Sequence, residues 1–482
     1  MVSLNITLVS PRIREWNPNV WVPLGISYVA AVLEQAGHNV EIIDLNLDST
    51  KDLRRSIENA DIVGITGMIT EYQQVLKLVD MVKQGNGSSR VILGGPLATT
   101  LPRELLQAST ADFVVIGEGE RTVVQLVSAI EHGDSFSKIN GIAYRDGDQI
   151  VVTEAAKPIV NLDTIPFPAR HLLDMKRYAT NHFARFGLKI EGFGKIKSTN
   201  LITSRGCPYS CTFCFKDMWG YKWRARSPAN IIEEMELLGR RYGINGFFFN
   251  DDTFVLDRRR IFEFCDLLKK KALDVVWYCN GRVNLMSREL LKAMYDAGCR
   301  GIAYGIESGN QQVLDSMKKN QTLEQTRNVV KWTREVGFHV AGYFMIGMLG
   351  ETKETICQTI AFARELDLDF YGFSIVTPLP GTELYKAAQE QGLIQRDMTS
   401  LKEWGFYVNA NLTQDCTDDD LVAFENKAFR EFTLEKFGKY YLLTPGFVKG
   451  VAEVLLSIRS RNDVKELARK AGGIIRSYWH GA

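Results

Sequence analysis

The sequence predicts an α/β protein in which two successive βα blocks are followed by a mainly helical C-terminal region. Three observations carry that prediction. Over residues 1–160 short apolar runs alternate with amphipathic segments, the rhythm of a doubly wound, Rossmann-like parallel sheet. The connector from Lys157-Pro158 through Ile165-Pro166-Phe167-Pro168 then interrupts the rhythm, as proline-punctuated boundaries do. From Asn200 six further βα units follow, short of the eight that close a full barrel, which predicts a partial (β/α)6 TIM-type barrel. The expected units are 1–160, a linker and flap at 161–195, the barrel at 196–392 and a helical domain at 393–482.

In the first block the strand-like runs are Leu4 to Val9, Val40 to Ile43, Ile62 to Ile65, Arg90 to Leu93 and Phe113 to Ile116, with a helix around Ile26 to Ala36. Sheets of this kind bind ligands at the carboxyl ends of their strands. Those ends carry Thr66-Gly67, Gly94-Gly95-Pro96 and Gly117-Glu118-Gly119-Glu120. Glycine there either makes a tight turn or lets a large ligand approach the backbone closely. His38 sits in the turn Ala36-Gly37-His38-Asn39 and reads as a helix-end cap.

In the second block strands are expected at 200–204, 246–250, 275–280, 301–306, 339–346 and 370–376. Ser227-Pro228 reads as an N-cap followed by proline at the first helical position, and Thr322 to Gln325 as a capping box. Barrel chemistry sits at the carboxyl ends of the strands. After the first strand comes Cys207-Pro208-Tyr209-Ser210-Cys211-Thr212-Phe213-Cys214. A structural zinc and an ordinary iron–sulfur cluster each want four ligands, but the other five cysteines, 265, 279, 299, 357 and 416, are scattered singly. Three ligands leave one metal position open for substrate. Later strand ends offer Asp251 and Asp252, Arg282, Glu307 and Ser308, the run Ile346 to Glu351, and Thr377 to Glu383.

The C-x3-C-x2-C spacing closely resembles that of the radical S-adenosylmethionine (SAM) enzymes. The resemblance implies a 4Fe-4S cluster on Cys207, Cys211 and Cys214, with SAM bound beside it. It further implies that Phe213 lies by the adenine, Asp251 and Asp252 meet the ammonium, Arg282 meets the carboxylate, and Glu307 and Ser308 bind the ribose. Leu349 departs from the proline usual in such chains, which leaves the form of that turn open. Pro23 to Tyr28, Gly94-Gly95-Pro96, Gly117 to Glu120 and Pro166-Phe167-Pro168 resemble the subfamily whose barrel follows a cobalamin-binding domain. That implies cobalamin contacts at Thr66, Gly94, Gly95, Gly117 and Glu118. No histidine precedes His38, so a cobalt without a histidine below it is expected; Trp16 and Trp21, on the loop after the first strand, either cover its lower face or serve as packing residues.

The activity so implied is methylation of an unactivated carbon by methyl transfer from methylcobalamin, after a 5′-deoxyadenosyl radical has taken hydrogen from it. Ser204 through Cys214 also resembles the anaerobic magnesium-protoporphyrin ester cyclase, so cyclisation or rearrangement stands as the alternative. A non-catalytic cobalamin sensor is the alternative of another class. Such chemistry calls for a low-potential electron donor such as flavodoxin or ferredoxin. With 58 Lys+Arg against 57 Asp+Glu, global charge implies no nucleic-acid partner. Pro11, Arg12, Arg14 and Glu15 stand where a signal peptide would be apolar, and no transmembrane run occurs, so a cytoplasmic protein is expected. Residues 169–198, with Tyr178, Phe183 and Phe186, are either a substrate-side flap or an excursion over the barrel mouth, and these aromatics permit a small-molecule, lipid, tetrapyrrole or protein side-chain substrate. After residue 437 eight Lys/Arg against three Asp/Glu make a basic tail that packs on its own domain or touches a membrane or acidic partner.

Overall fold

The computed structural model describes residues 3–12, 20–185, 190, 195–394 and 410–434. Its first unit is a sheet of seven strands: β1 Asn5–Ser10, β2 Asn39–Asp44, β3 Ile62–Thr66, β4 Arg90–Gly94, β5 Phe113–Val115, β6 Ile142–Asp146 and β7 Gln149–Val152. Their order is β2-β1-β3-β4-β5-β6-β7. The first five are parallel, and β6 and β7 extend the edge antiparallel. The sheet is therefore mixed, where the sequence rhythm implies a parallel one. Only Gly147 and Asp148 separate β6 from β7, and a two-residue connection must return antiparallel.

Alternation along the strands serves two cores. Ile6, Leu8, Ile62 and Ile92 meet helices Leu24–Gln35 and Gly119–His132. Val9, Val63, Ile65 and Leu93 face the helices on the other side. Gly64 falls on the first face, so β3 presents no side chain at the middle of that layer.

The second unit opens with β8 Ser198–Leu201 and a small ribbon of β9 Ser204–Arg205 and β10 Arg224–Ala225. It continues with β11 Gly246–Phe249, β12 Val276–Gly281, β13 Cys299–Glu307, β14 His339–Ile346 and β15 Phe370–Ile375. The six main strands are parallel in the order β15-β14-β13-β12-β11-β8, a curled sheet open between β15 and β8. Phe247, Phe249, Trp277, Ile302, Tyr304 and Phe344 are buried in the core shared with the helices. Phe248 and Tyr278 alternate with them and point the other way, into the lumen. There they meet a plug: Trp21 stacks on His182 at 3.9 Å between ring centroids, with Phe183 and Ile196 alongside.

Aromatic residues ahead of the barrel are used for packing. Trp21 is held among barrel residues and does not line the first unit's ligand-binding edge. Tyr178 and Phe183 are buried, Tyr178 donating to Asp44 Oδ2 at 2.8 Å, and so form no exposed aromatic flap. For Trp21 and Phe183 the cause is an open six-stranded barrel, whose apolar floor must be covered; Tyr178 packs in the main core and reaches across to the first unit. Trp16 and Phe186 lie outside the described residues, as does the basic tail. The described C-terminal part is a helix, Asp418–Phe429, started by a Thr417 capping box, after which Phe432 stacks on Tyr371 at 4.4 Å.

A buried charge network ties the connector to the barrel. Glu234, fully buried in helix Pro228–Tyr242, receives Arg170 from the connector and Arg226 Nη1 at 2.5 Å. Burial alone pushes its carboxyl up, but the two guanidinium groups outweigh that and hold it below the ordinary range. Glu234→Ala leaves two buried cations without a counter-charge, and the expected loss is about 3–5 kcal/mol, read in urea unfolding. A variant as stable as the parent refutes this role for Glu234.

Candidate functional site

The carboxyl edges of the two sheets face each other across a cavity of about 440 Å³. On the first unit's side it is lined by Thr66, Met68, Gly94, Gly95, Pro96, Gly117 and Glu118; on the barrel's side by Ile202, Arg205, Met218, Trp219 and Asp252. It continues between the sheet and helices Leu24–Gln35 and Gly119–His132, past Leu8, Leu33, Ile62, Gly64, Val123 and Val127. A Cβ at Gly64 would come within 2.6 Å of Leu8, and one at Gly95 within 2.4 Å of the Thr66 hydroxyl, so these glycines keep the cradle open and smooth. A deep apolar slot beneath a broad glycine-lined edge fits a flat cofactor with a long tail. No histidine is among the described residues that line it.

Met68 escaped the sequence reading. It is 52% exposed at the cavity edge, and its N–H donates to Glu71 Oε2 at 2.8 Å, which fixes the turn. Its only sequence signal is a glycine before it and a glutamate three residues on. Glu118 is also more than a ligand contact. Its carboxylate, at the start of helix Gly119–His132, pairs with Arg205 and Arg224.

The three cysteines occupy the loop between β9 and β10. Gly206, at φ +82°, turns the chain into that loop where a Cβ would meet the Lys222 carbonyl at 2.5 Å. The loop is pinned by Thr212, whose N–H donates to the Met317 carbonyl and whose carbonyl accepts from Leu384 N–H. Thr253 Oγ1 lies 3.3 Å from Cys207 Sγ, and Arg282 Nη1 3.6 Å from Cys211 Sγ. The Cys211 thiol is lowered to about 5, first by a hydrogen bond from Cys214 and then, against burial, by the charges of Lys319 and Arg282. Among the described residues no three His, Cys, Asp or Glu side chains converge on one ion-sized point. Soft thiolate donors spread along one loop, with cations beside them, suit an iron–sulfur cluster better than a lone ion.

Around this loop the structure sorts the remaining sequence candidates. Arg282 stacks on Tyr209 at 3.7 Å and donates to the Lys319 carbonyl at 2.5 Å, so it braces the cysteine loop. Glu307, at φ +66° on the bulged end of β13, pairs with Lys319 at 2.6 Å, and that ammonium lies 5.9 Å from the Phe213 ring centre. Lys319 is a further residue the sequence did not single out; it reaches the loop only through the fold. Asp251 is buried and accepts from Thr203 N–H, Thr203 Oγ1 and Ser204 N–H, tying the end of β11 to the segment after β8. Ser308 is fully buried and bonded to Thr359 Oγ1 and Asn310 N–H. Asp252 lines the interdomain cavity at an exposed position, where partial desolvation by the walls pushes its carboxyl up.

Fold and site together define a barrel enzyme with a three-thiol loop whose mouth is shared with a cofactor-binding α/β domain. Comparison with known proteins makes the assignment specific. Residues 201–363 match the radical SAM superfamily and residues 17–127 the B12 binding domain. An uncharacterised methyltransferase of Pyrococcus horikoshii is 35% identical over 381 residues, covering 77% of this chain and 79% of that protein. The anaerobic magnesium-protoporphyrin IX monomethyl ester cyclase of Rubrivivax gelatinosus is 28% identical, covering 88% and 78%. In fold the chain resembles the cobalamin-dependent SAM radical enzyme OxsB, solved with aqua-cobalamin and SAM bound, at a TM-score of 0.75 and 18% identity over 97% of this chain and 72% of that one. The chain belongs to the radical SAM superfamily, in the branch that carries a cobalamin-binding domain.

Two outcomes follow from this geometry. Gly94 has extended backbone and open space where a Cβ would stand. Gly94→Leu is therefore expected to keep its melting temperature and to weaken corrinoid binding by about tenfold or more (~1.4 kcal/mol); unchanged binding by ultrafiltration refutes the cradle. Glu71 is pushed from 4.5 up to about 7, mainly by burial. Between those values the native chain keeps a proton the unfolded chain has lost, so stability falls as pH rises through the window. Glu71→Gln is expected to be the more stable protein above about pH 7, by about 2–3 kcal/mol, and parallel melting curves across the window refute it.

Proposed function

We propose that this chain is a cobalamin-dependent radical SAM methyltransferase acting on an unactivated carbon. The observation that carries the reading is a shared wall. Met218 and Trp219 follow Cys214 by four and five residues, and both line the glycine-edged cavity. Whatever occupies the cavity thus stands beside the thiol loop, as a methyl donor must stand beside a hydrogen-abstracting centre. When bound, a 4Fe-4S cluster with SAM supplies a radical that removes hydrogen, and the corrinoid supplies the methyl group.

The protein's own part can be read residue by residue. Cys207, Cys211 and Cys214 would hold the cluster, and Arg282 and Lys319 set positive charge beside the Cys211 sulfur. Phe213, Glu307 and Lys319 border the position proposed for SAM. Thr66, Gly94, Gly95 and Gly117 leave room for the corrin, and Met68 projects from the same edge. The plug of Trp21, His182 and Phe183 closes the barrel floor and would exclude water from that end of the barrel. Among the described residues no helix is long and apolar enough to cross a membrane.

Cyclisation or rearrangement is the second reading, favoured by the 28% identity to the ester cyclase across most of the chain. The similarity to a protein named as a methyltransferase is greater, at 35%. Both readings need a low-potential electron donor. The test is anaerobic turnover of the reconstituted protein with SAM carrying a deuterated methyl group, hydroxocobalamin, a strong reductant and a metabolite extract from the source cells. A product that gains one labelled methyl, with S-adenosylhomocysteine and 5′-deoxyadenosine both formed, is expected. A product formed with 5′-deoxyadenosine alone and no label overturns methylation.

A further inference from the structure

The two ends of the cysteine loop are clamped by the other domain. Arg205 on β9 and Arg224 on β10 bracket residues 206–223, which contain all three thiols. Both guanidinium groups are buried, and both are neutralised by the first turn of helix Gly119–His132: Arg205 pairs with Glu120 at 2.5 Å and with Glu118 at 3.4 Å, and Arg224 pairs with Glu118. Two carboxylates at a helix N-terminus are favoured by its dipole. Glu118 also accepts from Ile159 N–H in the connector, and Arg224 donates to the Ile159 and Trp219 carbonyls.

The same groups wall the cavity. Glu118, Glu120, Arg205 and Trp219 all line it, and Arg205 lies 5.5 Å from the Tyr28 ring centre and 5.9 Å from that of Trp219. Cavity, ion pairs and thiol loop are therefore one contiguous body. We propose that Glu118 and Glu120 are positioning residues that couple corrinoid occupancy to the order of the cysteine loop, so that each cofactor tightens the other. The inference rests on the two-cofactor reading above. A loaded cluster fixes the loop, the fixed loop holds Met218 and Trp219 as a finished wall, and the finished wall binds a corrin with less ordering left to do. By linkage the effect is reciprocal.

The test is a binding cycle in which no methyl transfer takes place. The dissociation constant of hydroxocobalamin is measured anaerobically on the full chain with its cluster reconstituted and again after the cluster has been removed by chelation. The parent is expected to bind about 5- to 150-fold more tightly with the cluster present, and its cob(II)alamin electron paramagnetic resonance spectrum to change when the cluster is removed. In Glu120→Gln the ratio should fall toward one and the spectral change disappear. Global destabilisation would weaken both binding states alike and leave the ratio, so a purely structural role does not mimic this result. If Glu120→Gln fails to fold, Arg205→Lys, which keeps the charge and loses the fork, serves with the same expectation. A ratio of one in the parent, or a full ratio retained in the folded variant, overturns the coupling. A chain that binds no corrinoid in either state overturns the two-cofactor reading itself.

Discussion

Two sheets whose carboxyl edges face each other must bring polar, unpaired backbone ends together and still leave space for ligands. The charge network of Arg205 and Arg224 with Glu118 and Glu120 is what makes that arrangement tolerable. Four charges buried without partners would be costly, but here each cation meets a carboxylate that a helix terminus already favours. Because both arginines belong to the ribbon that begins and ends the thiol loop, neutralising them also fixes where the loop stands. The cavity exists because this contact is made by side chains at its rim, leaving the ground between the sheets unfilled.

What is missing from the sheet matters as much as what is present. Gly64 removes one side chain from a layer otherwise filled by Ile6, Leu8, Ile62 and Ile92, and the slot runs past that gap. At the strand ends Gly94, Gly95 and Gly117 extend the smooth surface, and Thr66 can approach Gly95 only because no Cβ stands there. The barrel solves the opposite problem. Its six strands leave an open floor, and His182 and Phe183 of the connector fill it together with Trp21 from the first unit, so these aromatic residues become packing.

At the barrel mouth the strand ends do two kinds of work. Asp251 and Ser308 tie adjacent elements together through hydrogen bonds that use their acceptor oxygens. Arg282, Glu307 and Lys319 form a charged ring around the cysteine loop, with Phe213 under the Lys319 ammonium. Neighbours in sequence therefore part company: Asp251 faces inward while Asp252 faces the cavity, and Glu307 meets Lys319 while Ser308 turns to Thr359. Successive residues at a strand end point to opposite faces.

The sequence by itself determined the elements and the chemistry carried on short segments. Short apolar runs announced the strands, proline marked the connector, and three cysteines within eight residues announced a soft metal site, since all of these are local properties of the chain. The glycines of the ligand-binding edge were legible for the same reason. Tertiary structure alone decided which side chains meet. Lys319 reaches Glu307 and the loop, Arg205 finds Glu120 at a distance of 85 residues in sequence, Met68 is left projecting into the cavity, and Trp21 is drawn away from it into the barrel floor. Such contacts are set by the packing of one sheet against another, and no local periodicity encodes the partner that burial will supply.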